Sequence, residues 1–333
     1  MRTTHTNPDA PELPTPYSAV IPSYVKCFSE YLRACGYYCT NNQKTDYQFD
    51  PPFTAWDELS GEAHWRNRPD PSQPFFAVFN LGRTHESGMW EDSQADASVD
   101  PADVVLPPYF PDTPKVREAM TRMYANIEYN DRILGMYLEQ LKEDGLEDST
   151  VVFHWSDHGP LPRGKRWPYD SGVHVPLIIR WPGMLEPGSV SDRLVSTIDL
   201  GPTVLSIAGI PIPNHIQGKA FLGTQEAPER KYVYMSRDRY DESYDMVRAV
   251  RDKRYKYIRN YHPELPYLLW IPYRNKHPIM QEMWRLYVEG GLKGPQLLMF
   301  QTERPPEELY DLWNDPHEIT NPVSYTHLTL PTN

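Results

Sequence analysis

Cysteine is scarce in this chain. There are three in 333 residues, Cys27, Cys35 and Cys39, an odd and closely spaced set that is poor material for a disulfide framework. They read as free, buried thiols. Long apolar runs are missing too: nothing approaches the roughly 18 consecutive apolar residues of a membrane-spanning helix. The opening Met1-Arg2-Thr3-Thr4-His5 leads straight into a Pro-rich polar stretch and carries no secretory signal pattern. Positive charge is in deficit: 33 Lys and Arg against 45 Asp and Glu leave a net charge of -12. No dense basic stripe offers a surface to nucleic acid, and no internal repeat is visible.

Aromatic residues and prolines, by contrast, are plentiful. Nine Trp and 23 Tyr argue against disorder, and 35 Pro point to many ordered loops between short elements. The length suits one large domain with a smaller one beside it. Residues 1–22 read as loop, with Pro8, Pro11, Pro14, Pro16 and Pro22. Ser23 is placed to cap a short helix with Val25, Phe28, Leu32 and Cys35 on one face, and a short strand, Tyr37 to Thr40, leads into Asn41-Asn42-Gln43-Lys44. Residues 50–73 read as irregular. Phe75 to Leu81 is an almost unbroken apolar run, as expected of a strand buried on both faces.

Pro114 to Gly145 is the strongest helix signal, with Val116, Met120, Met123, Ile127, Leu134, Leu138 and Leu141 at helical spacing. Strands follow at 151–155 and 175–180, then a helix from Asp199 to Gly209. Strand, helix, strand and helix in turn imply an α/β fold with a mostly parallel sheet flanked by helices. From about residue 226 apolar and polar residues alternate, as in the half-exposed strands of an antiparallel hairpin. The expected organisation is a main domain over 1–225 and a smaller α+β subdomain over 226–321. Pro322 to Asn333 looks foreign to what precedes it and reads as a non-native tail.

Chemistry concentrates between Val151 and Pro182. The apolar run from Val151 to Trp155 ends in Ser156-Asp157-His158-Gly159, and a basic loop with Lys165 follows. A carboxylate and an imidazole at a strand end suit a divalent metal, with Asp157 the natural ligand of a hard cation. Lys165 could then meet an anion bound to that metal. Lys44 is placed to neutralise an anionic oxygen, and His85, beyond the apolar run that starts at Phe75, to exchange a proton near neutral pH. Arg83, Arg163 and Arg166 add charge nearby without an assigned role, and Asp131 reads as a structural residue within its helix.

Taken in order, these pieces resemble a type I sulfatase of the alkaline phosphatase superfamily, and are most similar to the heparan N-sulfatase (sulfamidase)-like branch. The resemblance is carried by Phe28-Ser29-Glu30-Tyr31-Leu32-Arg33, Asn41-Asn42-Gln43-Lys44-Thr45-Asp46-Tyr47 and Pro74 to Asn80. It continues through Thr84-His85-Glu86-Ser87, the block from Ser156 to Pro176, Asp199-Leu200-Gly201-Pro202-Thr203, and Glu308 to Leu312. It spans roughly residues 1–321.

The resemblance implies an alkaline-phosphatase-like fold and hydrolysis of an O- or N-sulfate on a sulfated glycan or small sulfate ester. It also implies Asp157 and His158 as ligands of one Ca²⁺, with Lys44, Lys165 and His85 as catalytic residues. Gln43 and Asp46 depart from the family pattern, in which Gly and His are common. A formylglycine nucleophile is expected from Cys/Ser-x-Pro-x-Arg, and no such sequence occurs in these residues. In the family it lies upstream of the segment matching Met1, so the reading is of an N-terminally truncated chain lacking its first strand or strands. As written it is expected to be inactive and poorly soluble, which soluble expression with turnover would refute. Periplasmic or secreted location follows from the family alone. The rival readings are a phosphodiesterase or phosphonate monoester hydrolase of the same superfamily, and a non-catalytic glycan-binding pseudoenzyme.

Overall fold

The computed structural model describes residues 4–7, 10–16, 21–47, 49, 51–91, 97–240 and 243–325. The chain folds as two units, one built from Met1–Asn80 with Arg193–Val233, the other from Leu81–Asp192 with Tyr234–Asn333. Each unit thus draws on two separated stretches, and residue 225, where the sequence suggested a boundary, falls within the second stretch of the first unit.

In the first unit, strands β1 (Thr4–Asn7) and β2 (Ala10–Pro16) pair antiparallel where the Pro-rich sequence suggested loop. A two-stranded ribbon consists only of edge strands, and an edge tolerates residues that cannot donate to a ladder. Helix α1 runs Phe28–Ala34, starting five residues beyond the expected Ser23 cap. The Glu30 carboxylate accepts the Cys27 backbone N–H at 2.8 Å and so fixes that start. Three strands form a parallel sheet in the order β4 (Glu58–Leu59), β3 (Tyr38–Asn42), β5 (Phe75–Phe79). As an edge of this sheet, β5 is half-buried along its length rather than enclosed on both faces.

Helix α4 (Leu200–Ile207) meets α1 over a small core of Leu32, Cys39, Leu205 and Ile210. The three cysteines are free, but only Cys39 is buried; Cys27 is half-buried and Cys35 exposed. Burial, with Asp57 nearby, pushes the Cys39 thiol up to about 12, so it is packing and not a nucleophile.

The second unit holds the larger core. Helix α2 spans Pro114–Glu143, capped by Thr113 Oγ1, which accepts the Val116 N–H at 3.4 Å. Its N-terminal half buries Val116, Ala119 and Met120, and the helix packs on α5 (Pro278–Val288). Ile127 is left exposed, so the expected stripe is covered over only part of its length.

Strands β6 (Val152–Trp155) and β7 (Leu177–Arg180) pair antiparallel. The α/β class with a parallel sheet holds, but β6 and β7 form a separate antiparallel pair, because a loop and the single turn α3 (Asp170–Val173) return the chain directly. The C-terminal part is an antiparallel sheet in the order β11 (Glu307–Asp311), β10 (Tyr255–Asn260), β9 (Ser243–Arg251), β8 (Val233–Tyr240). Its buried face carries Val247, Ala249 and Ile258, and also the charged Asp245 and Lys256. Of the suspected tail, Pro322–Tyr325 forms a 3-10 turn, and the rest lies outside the described residues.

Candidate active site

Two amides on α2, four residues apart, position His85. Asn130 Nδ2 donates to the Leu81 carbonyl and to Thr84 Oγ1, both at 3.0 Å. Asn126 Nδ2 donates to the Gly88 carbonyl at 2.8 Å, while its Oδ1 accepts from Arg83 Nε at 3.2 Å. Residues 81–88 are therefore tied down on both sides of the imidazole. His85 Nδ1 lies 2.8 Å from Ser87 Oγ, and His85 Nε2 lies 3.3 Å from Lys165 Nζ. Nδ1 also accepts the Ser87 backbone N–H at 3.4 Å, so the amide and hydroxyl of Ser87 together hold the ring with Nε2 facing Lys165.

Lys165 reaches this position because the loop after β6 folds tightly on itself. The Gly159 N–H donates to the Gly172 carbonyl at 3.0 Å. A Cβ on Gly159 would stand 1.9 Å from the Ser171 carbonyl oxygen, and one on Gly172 would stand 2.1 Å from that of Gly164. The glycine spacing in this block is thus a requirement of backbone packing. From the loop, Lys165 Nζ also meets Glu86 Oε1 at 3.1 Å. Arg166 grips the same carboxylate with both Nη atoms, at 3.1 and 3.0 Å. Burial alone would raise the Glu86 carboxyl, but Arg166 and Lys165 overcome it and hold it at about 2. Glu86 is a permanent anion that anchors Lys165 beside His85.

Asp157 and His158 follow β6 directly. His158 Nδ1 donates to the Gly159 carbonyl at 3.2 Å, so the neutral ring turns the lone pair of Nε2 outward, 3.4 Å from Asp157 Oδ2. Burial, with Lys165 nearby, moves His158 below the ordinary histidine value and favours that neutral form. Two acceptors facing each other, the imidazole oriented through its other nitrogen, suit a shared cation. They are a share of a coordination shell only: among the described residues no group of three or more His, Cys, Asp or Glu is placed to hold a metal.

The remaining sequence candidates fall elsewhere. Lys44 belongs to the first unit, in a turn where the Asn41 side chain donates to the Lys44 carbonyl at 3.0 Å, and its ammonium lies 3.5 Å from Asp46. Arg163 is buried and structural, donating to the carbonyls of His317 and Glu318 at 3.0 and 2.7 Å. Sequence reasoning gave no role to Glu86, Ser87, Asn126 or Asn130. Glu86 and Ser87 flank a chosen histidine, and the two asparagines sit at i and i+4 of a strong helix, which is the only trace they leave.

A carboxylate-anchored lysine beside an oriented histidine, on an α/β framework, is equipment for handling tetrahedral oxyanions. The chain belongs to the sulfatase family, whose model matches residues 15–210. A second family model, N-sulphoglucosamine sulphohydrolase, C-terminal, matches residues 162–293. An ulvan-active sulfatase of Formosa agariphila is 46% identical over 341 residues, covering 92% of this chain and 57% of that protein. Human N-sulphoglucosamine sulphohydrolase is 30% identical, covering 82% of this chain and 57% of its own length. The chain therefore spans a little over half the length of these curated relatives. A solved structure of a 2-O GAG sulfatase shares the fold at a TM-score of 0.61 and 17% identity, over 97% of this chain and 73% of that one.

Proposed function

We propose that this chain carries the sulfate-handling lysine and histidine of a sulfatase that removes O- or N-sulfate from a sulfated glycan outside the cytoplasm, in the periplasm or after secretion. The observation that carries the reading is the Lys165 ammonium held between Glu86 at 3.1 Å and His85 Nε2 at 3.3 Å. Lys165, anchored from behind, meets the sulfate oxygens and stabilises the charge that shifts among them during S–O or S–N cleavage. His85 exchanges the proton at the leaving oxygen or nitrogen, oriented by Ser87. Lys44 is assigned a second sulfate contact from its place in the family motif. A divalent cation, Ca²⁺ in this reading, would take Asp157 and His158 among its ligands and supply Lewis-acid polarisation when bound. A formylglycine of the kind the family uses would, in the whole protein, supply the nucleophilic oxygen. The relatives act on ulvan and on N-sulphoglucosamine by their names, and ulvan, its oligosaccharides and N-sulphoglucosamine are the substrates to try first.

The test reads the DNA in frame ahead of the Met1 codon, expresses the whole open frame, and measures sulfate release from ulvan and from N-sulfated glucosamine. Lys165→Ala and His85→Ala are expected to lower kcat roughly 10²–10⁴-fold. Faster turnover of a phosphonate monoester or phosphodiester than of any sulfate would replace this reading with its rival. Full activity in both variants would remove the assigned roles.

A further inference from the structure

Behind the Glu86 anchor lies a group of buried arginines that the proposed chemistry does not use. Arg166, Arg237 and Arg274 are each less than 5% exposed. Arg237 and Arg274 each place the guanidinium carbon 5.4 Å from the Trp167 ring centroid. The anions in direct contact with the cluster are few, and each is shared. Glu86 is taken by Arg166 and Lys165. Asp245 is gripped by Arg304 through both Nη atoms, at 2.7 and 2.8 Å, leaving Arg237 at 3.3 Å from one of its oxygens. Four cations thus lean on two carboxylates, and among the described residues Arg274 has none in ion-pair range.

The hydrogen bonding is as unbalanced as the charge. Among the described residues no acceptor lies in hydrogen-bonding geometry on Nε, Nη1 or Nη2 of Arg237, or on Nε and Nη1 of Arg274. Arg274 spends only Nη2, on the Leu269 carbonyl. Burial and the neighbouring guanidinium charges bring Arg274 down to about 9 and Arg237 to about 10, so both remain cationic at neutral pH. Buried cations with unspent donors are costly unless an anion shares the space. A planar fork of N–H groups matches a tetrahedral or carboxylate oxyanion better than it matches chloride.

We propose that Arg237 and Arg274, backed by Arg166 and walled by Trp167, form a binding site for a small, sulfate-sized oxyanion, separate from the His85–Lys165 pair. The oxyanion is either free sulfate or the sulfate substituent of a sugar, and the two share the recognition chemistry. The site needs no turnover, so it stands or falls independently of the sulfatase reading.

The test is titration calorimetry on the full chain with sodium sulfate and with glucosamine 6-sulfate, each against sodium chloride at matched ionic strength. Saturable sulfate binding is expected that survives Lys165→Met and is weakened about tenfold or more by Arg237→Met and by Arg274→Met. Binding of both probes assigns the site to a sugar substituent, and binding of sulfate alone to the free ion. Because each Met removes a buried charge whose N–H donors are unspent, and Asp245 keeps Arg304, the variants should melt in sulfate-free buffer no lower than the parent. Should either fail to fold, Arg→Lys at the same position keeps the charge, removes the fork, and must still weaken sulfate. Equal heats from chloride and sulfate would overturn the proposal, as would unchanged sulfate affinity in the arginine variants. Loss of all binding in Lys165→Met alone would assign the anion to the front pair instead.

Discussion

His277 shows how much a single buried residue can couple to the conditions around it. It caps helix α5, accepting the Ile279 N–H on Nδ1 at 3.2 Å, and is almost wholly buried. Burial, with Arg166 and Arg122 adding to it and Glu86 opposing, pulls its pKa from the ordinary 6.5 down to about 4. The unfolded chain accepts a proton near 6.5 while the native chain refuses it until about 4. The stabilisation is therefore complete above pH 6.5 and is lost as pH falls towards 4, a change on the order of 3 kcal/mol. Urea unfolding followed at neutral pH and at about pH 4.5 should show that loss, and His277→Asn, which keeps a capping acceptor, should flatten it. An unchanged pH slope in the variant would shift the effect to another group. Glu86 works in the opposite sense to a switch: held at about 2, it stays charged throughout that window and keeps Lys165 anchored.

Among the elements, the loop between β6 and β7 depends most sharply on its glycines. Gly172→Ala would press a methyl carbon to 2.1 Å from a backbone oxygen, which no rotamer change relieves. The expected loss is about 3 kcal/mol, read as a lower urea midpoint. Gly135, on α2, has nothing within 4 Å of its would-be Cβ. Gly135→Ala should therefore stabilise by about 0.5–1 kcal/mol through helix propensity and a less free unfolded chain. If both substitutions moved the midpoint alike, the close backbone approach would not be what shapes the loop.

Over the whole molecule, stability should be uneven. The first unit's described core is Leu32, Cys39, Leu205 and Ile210. The second unit's core gathers aromatic and aliphatic side chains from α2, α5, β9, β10, β11 and the loop before α2, including Tyr109, Phe110, Ile258, Ile279 and Tyr310. Less buried apolar area means cheaper local opening. Native-state hydrogen exchange should find the amides of β3 and α4 exchanging well before those of β9 and β10. Equal protection in both sets would show that opening is global.

The sequence by itself determined the α/β class, the strong helix from Pro114, the strands near 75, 151 and 177, and the family. These rest on local periodicity, turn residues and the order of motifs, which survive in one dimension. It also put Lys165, His85, Asp157 and His158 on the candidate roster, because each stands at or near a strand end or in a basic loop. Only the tertiary structure decided that β6 and β7 run antiparallel, that the Pro-rich stretch pairs as a ribbon, and that each unit is assembled from two distant segments. Only there does Glu86 become the anchor of Lys165, with Arg166 gripping the same carboxylate from 80 residues away in sequence, and only there do Arg237 and Arg274 converge on Trp167. The physical reason is the same in each case. Pairing, burial and charge balance depend on what lies beside a residue in space, and contacts closed across long loops leave no period in the sequence to read.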